Sequence, residues 1–216
     1  MFSRSGLSVA AVAGLGLMAA TSFASVRETV VGDAYDLDSG EYLYSEHHQC
    51  MPDNSFCDVL YRDEQGELIA RKQVDYSQNM QSPSLQMEDF RLTRQFQLQP
   101  RPDPELVVDA GFDNYVRLRW DDLQDGGTVA FPFLVMGRDK PIDMRAKRVE
   151  GEQCKPGEMC LEVGLDSWLL GMLVDPIALT YEKESRRLLR FRGISNLPGE
   201  GGEKQFVDIR YRYSDQ

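Results

Sequence analysis

Two histidines, four cysteines and a few arginines on otherwise apolar strand faces are the residues of this 216-residue chain best placed to do chemistry. His47 and His48 stand beside Cys50, with Cys57 close behind. Those nitrogen and sulfur donors would hold a metal ion if they converged. The spacing fits no standard zinc pattern, and neighbouring residues on a strand point to opposite faces. No metal site is therefore expected. A Ser-His-Asp triad would have to use one of the same two histidines, and no Gly-x-Ser-x-Gly elbow is present. Gly199, Gly201 and Gly202 fall in a late turn, not in a phosphate loop opening a helix. No catalytic residue and no cofactor is assigned. An enzyme using His47 or His48 ranks below the binding readings that follow.

The cysteines read better as structure. Cys50 and Cys57 bracket Pro52, Asp53 and Asn54; Cys154 and Cys160 bracket Pro156 and Gly157. Four cysteines allow three pairings. Two local bridges, Cys50–Cys57 and Cys154–Cys160, are expected because each pair encloses turn residues. Disulfides belong to an oxidising compartment, and the N-terminus agrees. Arg4, the small apolar run 6–20 and Ser22-Phe23-Ala24 form the three parts of a secretory signal peptide cleaved after Ala24. The expected domains are therefore a signal peptide over 1–24 and one β-rich domain over 25–216. The expected location is the periplasm, with no integral membrane span once the signal is removed.

The composition supports that picture. With 42% hydrophobic and 27% charged residues the chain is globular. Its net charge of −11 argues against a nucleic-acid partner, which needs a basic surface to displace phosphate counterions. The signal carries one arginine and no acid, so the mature chain is more acidic by one unit.

Against this acidic background the arginines stand out. Arg94 falls on the apolar side of an alternating run with Phe90, Leu92, Phe96 and Leu98. Arg190 and Arg192 share one strand face, as do Arg210 and Arg212. If the two strands are neighbours, these four form a basic strip. Bidentate arginine suits a phosphate or carboxylate head group; pairing with cross-strand acids is the structural alternative. Trp120 and Trp168 read first as core anchors of two helices, and second as cavity walls. Asp109, Asp113 and Arg117 are accounted for by helix capping and an i,i+4 ion pair.

The elements that must position these groups are mostly strands. Alternation or short apolar runs between turn residues mark strands near 42–48, 58–62, 68–76, 90–98, 127–136, 143–150, 177–182, 187–194 and 205–213. Phe112, Tyr115, Val116, Trp120 and Leu123 recur at helical spacing, and Asp166 can cap a short helix over 167–174. Strands joined by tight turns favour an antiparallel sheet. The fold expected is mainly β: a strongly curved antiparallel sheet or half-open β-barrel covered by two short α-helices. A groove between sheet and helices is a natural ligand site.

Five stretches, 36–48, 108–120, 166–177, 187–197 and 207–211, together resemble an uncharacterised family of exported proteins from Gram-negative bacteria. The resemblance spans nearly the whole mature chain. It implies an envelope location and a single-domain build, and brings no reaction or site residues. The pattern is also similar, at the level of fold, to the half-open barrels of periplasmic lipoprotein carriers. The leading expectation is a non-catalytic protein holding a lipid or other apolar ligand between sheet and helices. The alternative is an interaction module that binds another envelope protein.

Overall fold

The structure, a computed structural model, describes residues 27–99, 103–167 and 175–214. The chain builds β1 (Arg27–Asp36), β2 (Tyr42–Cys50), β3 (Phe56–Arg62), β4 (Leu68–Asp75), β5 (Ser84–Asp89) and β6 (Arg94–Leu98) as one run of strands. After the two-residue β7 (Val107–Val108) come α1 (Phe112–Leu118) and α2 (Trp120–Gln124). The chain then continues through β8 (Thr128–Leu134), β9 (Ile142–Val149), β10 (Glu158–Leu165), β11 (Ile177–Glu182), β12 (Leu188–Ile194) and β13 (Phe206–Tyr213).

Turn chemistry explains the hairpins. Asp63 Oδ1 accepts from the amides of Gln65 at 3.0 Å and Glu67 at 2.8 Å, and Gly66 takes φ +83° between β3 and β4. Asp36 accepts from Ser39 N at 2.8 Å before Gly40 turns at φ +75°. Within the strands every second side chain faces inward: Cys57, Val59 and Tyr61 are buried along β3, with partly exposed residues between them.

Among the described residues thirteen strands form one open sheet in the order β6-β5-β4-β3-β2-β1-β13-β12-β11-β10-β9-β8-β7. Every pairing is antiparallel except β7 with β8. The expected mainly β, curved antiparallel architecture with two short helices is therefore what the chain adopts. Both helices come from the single stripe read at 112–123, because the backbone breaks at Arg119 (φ −99°, ψ 19°). The helix expected over 167–174 lies outside the described residues beyond Ser167. The run read as one strand over 90–98 is instead a turn at 90–93 followed by β6, with Thr93 at φ +50°.

The sheet curls so that its two arms meet over the concave side. Val74 and Leu85 of β4 and β5 pack with Leu106, Val108 and Leu134 from the far arm. Val108 N donates to Gln81 O at 2.9 Å, joining β7 to the loop between β4 and β5. Tyr115, Val116, Trp120 and Leu123 fill the concave side over Val129, Phe131, Met144, Leu161 and Tyr181. Both expected disulfides are present, Cys50–Cys57 and Cys154–Cys160. Cys50 and Cys57 are direct cross-strand partners, and the pairing registers put both bridged turns at the same ends of the strands.

Gly32 marks the tightest inner position of β1. A Cβ there would lie 2.7 Å from Tyr211 Cε1 and 2.9 Å from Ile209 Cγ2. The Tyr211 ring thus lies across β1 where no side chain stands. Gly32→Ala should lower the unfolding free energy by about 1–3 kcal/mol through overpacking, read as a drop in urea midpoint at unchanged slope.

Candidate functional site

The curl leaves a cavity of about 790 Å³ between the concave face and the segment 109–117. Its walls are largely apolar: Val59, Val74, Phe131, Met144, Val163, Ile177 and Ile209 come from both arms of the sheet. Four tyrosines, Tyr61, Tyr76, Tyr211 and Tyr213, also face it.

Within this lining sits a buried ion pair. Lys72 is the inward residue between Ala70 and Val74 on β4 and is 5% exposed; Asp109 follows β7 and is 4% exposed. Lys72 Nζ donates to Asp109 Oδ1 in a short contact. Among the described residues nothing donates to Asp109 Oδ2, although the atom is buried. Asp109 also holds φ +39°, a left-handed conformation costly for a residue with a side chain. Backbone strain and an orphaned buried polar atom each tend to gather at functional sites. Here both occur on one residue.

The other acids of the cavity are committed. Glu46 accepts from the Tyr211 hydroxyl at 3.2 Å, and its Oε2 lies 3.3 Å from His48 Nε2. Asp113 accepts from the Tyr181 hydroxyl at 3.1 Å and pairs with Arg117 at 2.6 Å. Tyr76 donates to Ala110 O at 3.3 Å. Burial first, and the Glu46 charge second, hold the Tyr61 and Tyr211 hydroxyls well above the ordinary tyrosine range. Burial, reinforced by the Asp113 charge, pushes Tyr213 up to about 12. At neutral pH these hydroxyls are all protonated donors.

The residues singled out in the sequence distribute differently from expectation. The two histidines do face opposite ways: His48 lines the cavity, whereas His47 bonds Ser45 Oγ through Nε2 at 3.0 Å. The basic strip exists, but on the outer face. β12 and β13 are neighbours, and their alternation turns Phe191, Ile209 and Tyr211 inward and the arginines outward. Arg190 grips Asp208 through two bonds of 2.6 Å, and Arg210 Nη2 adds a third at 3.1 Å. Arg212 pairs with Asp33 across the ladder from β13 to β1. Arg192 stands opposite Asp208 in the pairing register. Arg94 is exposed on β6 with its guanidinium against Gly202, because the strand begins only at residue 94. None of Arg94, Arg190, Arg192, Arg210 and Arg212 lines the cavity. Trp120 is 2% exposed and donates to Gln124 Oε1 at 3.0 Å; it is a core anchor over Tyr181, not a cavity wall. Trp168 lies outside the described residues. The Asp113–Arg117 pair forms as expected, whereas Asp109 turns to Lys72 instead of capping.

The sequence reading does not single out Lys72 or Glu46, although a lysine between Ala70 and Val74 on an apolar strand face is a signal for Lys72. Comparison of the chain with family models, with curated proteins and with solved structures finds no match.

Lys72→Met leaves the Asp109 carboxylate buried without a countercharge and should cost about 3–5 kcal/mol in urea unfolding. Lys72→Met/Asp109→Gly removes both charges and suits the left-handed backbone at 109, so it should recover most of that loss. On the outer face, burial raises the Asp208 pKa, but the hydrogen bonds from Arg190 and Arg210 outweigh it and hold the carboxyl below its ordinary 3.8. A group with a lowered native pKa stabilises the fold above its unfolded value and loses that contribution as pH falls through the native one. Asp208→Asn should therefore destabilise at pH 7, and its deficit should shrink as the pH falls below 3.8 in a stability–pH series.

Proposed function

We propose that this is a non-catalytic periplasmic protein that binds an apolar or amphipathic, lipid-like ligand between its curved sheet and its helices. The observation that carries the reading is the cavity of about 790 Å³ with largely apolar walls and one buried ion pair. That volume falls within the range of small-molecule sites, about 300–1,000 Å³, and the mix of apolar wall with a few convergent polar groups is typical of them. The two disulfides are compatible with an oxidising, exported setting. Among the described residues no helix is long and apolar enough to cross a membrane. The non-catalytic reading rests on the cavity's polar groups: Glu46 and Asp113 are held by tyrosines and by His48 or Arg117.

Native mass spectrometry of protein recovered from the periplasm tests this directly. The expected result is an added mass of lipid size that disappears on organic extraction. The polypeptide left behind should be four hydrogens lighter than its fully reduced form, because both disulfides are closed. A bare polypeptide before extraction would overturn the reading in favour of an envelope interaction module.

A further inference from the structure

Resting on that ligand-binding reading, we infer that Arg187, at one mouth of the cavity, seats the head group of an anionic amphiphile such as a fatty carboxylate. Asn54 from the β2–β3 turn, Met80 from the β4–β5 loop, Ser185 from the β11–β12 turn and Ser214 after β13 line the cavity and are all exposed, so the enclosure meets solvent at this end of the strands. Arg187 follows the β11–β12 turn, lines the same end and is partly exposed. Its guanidinium carbon lies 4.9 Å from the centre of the Tyr213 ring, itself part of the lining. Stacking occupies one face of a guanidinium and leaves the N–H donors along its edge. Among the described residues no carboxylate pairs with Arg187 and no acceptor takes its side-chain donors.

The charge balance of the lining singles this residue out. Lys72 answers Asp109, and Arg117 together with the Tyr181 hydroxyl answers Asp113. Glu46 is held by the Tyr211 hydroxyl and His48. Glu182, in the turn beside Arg187, accepts from Ser185 Oγ. Arg187 is thus the lining arginine or lysine whose charge meets no acid among the described residues. Arg117 stands close by, because its Nε donates to Arg186 O at 3.1 Å. Burial and then the Asp113 charge raise the Tyr213 pKa, and the charges of Arg117 and Arg187 both act against them, so both arginines face this side of the mouth. An oxyanion suits the guanidinium fork, and Leu188, Phe191 and Ile209 give an attached chain an apolar wall behind Arg187 and Tyr213. The other end has no such cation. The β12–β13 loop crosses it, with Ser195 Oγ 2.7 Å from the Tyr44 hydroxyl and Pro198 O accepting from Arg91 Nη2 at 2.9 Å. The lining residues there, Ile194, Ser195 and Asn196, are uncharged.

The test uses the full mature protein, delipidated, with N-phenyl-1-naphthylamine as a neutral fluorescent occupant. It is displaced by three ligands of equal chain length: sodium decanoate, decan-1-ol and decyltrimethylammonium. Wild type is expected to bind decanoate at least about fivefold more tightly than the ammonium. Arg187→Gln, checked for folding by circular dichroism, is expected to weaken decanoate by about fivefold or more and to leave decanol within about twofold. Arg94→Gln, which removes an arginine outside the cavity, is expected to change neither. If the folded wild type takes up no fluorophore and none of the three ligands, the ligand-binding reading itself fails. If it binds them but Arg187→Gln weakens decanoate no more than decanol, or Arg94→Gln weakens decanoate as much as Arg187→Gln does, the cavity stands and the head-group seat is overturned. If Arg187→Gln does not fold, the wild-type order decides: decanoate ahead of the ammonium by that margin supports the seat, and any other order overturns it.

Discussion

The contact between Lys72 and Asp109 joins β4 to the segment that follows β7, from opposite arms of one open sheet. Much of the concave architecture depends on that closure. The segment from Val108 to Asn114 is fastened to the loop between β4 and β5 by several independent contacts. Val108 donates to Gln81, Asn114 Nδ2 donates to Met80 O at 3.0 Å, and Tyr76 reaches Ala110. A sheet of thirteen strands with natural twist tends to coil, but coiling alone does not decide where the arms meet. The ion pair and these fastenings do. They turn a curved surface into an enclosure and set its height by the thickness of the helical segment that lies within it.

The enclosure is polar only where neighbouring groups keep each other in one state. Tyr61, Tyr76 and Tyr211 stay protonated because burial disfavours the phenolate, and the nearby carboxylates add to that. Glu46 and Asp113 are in turn held as acceptors by those same kinds of hydroxyl. The outer face uses the opposite arrangement. There the arginines of β12 and β13 draw in Asp208 and Asp33, and an acidic protein carries its basic residues as cross-strand ties between β12, β13 and β1.

Much of the fold was legible in the sequence because strands announce themselves by period and turns by composition. The hairpin at 63–66, the inward set Val207, Ile209, Tyr211 and Tyr213, and both disulfides could be read from residue types and spacing alone. β1, β5, the two-residue β7 and β10 were not. β1 alternates weakly: of its inner residues Val30, Gly32 and Ala34 only the first is large, and that leaves little hydrophobic period to detect. The site was less legible for a specific reason. The arginines of β12 and β13 could be placed on a common face, but which face turns inward is fixed by the aromatic and aliphatic residues between them. Asp109 looked like a helix cap because its true partner, Lys72, lies 37 residues earlier and meets it only once the sheet has curled.

The pairing of β1 with β13 has a kinetic meaning. Apart from the short parallel β7, every other strand pairs with its neighbour in the chain, so two meanders, β1–β6 and β8–β13, can each grow by adding hairpins. The first and last strands join those meanders at the middle of the sheet, where Val30 lies opposite Tyr213 and Asp36 opposite Val207. That seam closes a loop of most of the chain, and long loops are slow to close. A polypeptide delivered from its N-terminus would therefore hold β1 with one unpaired edge until the last strand arrived. The cavity, which draws its walls from both meanders, comes into being only when that seam is sewn.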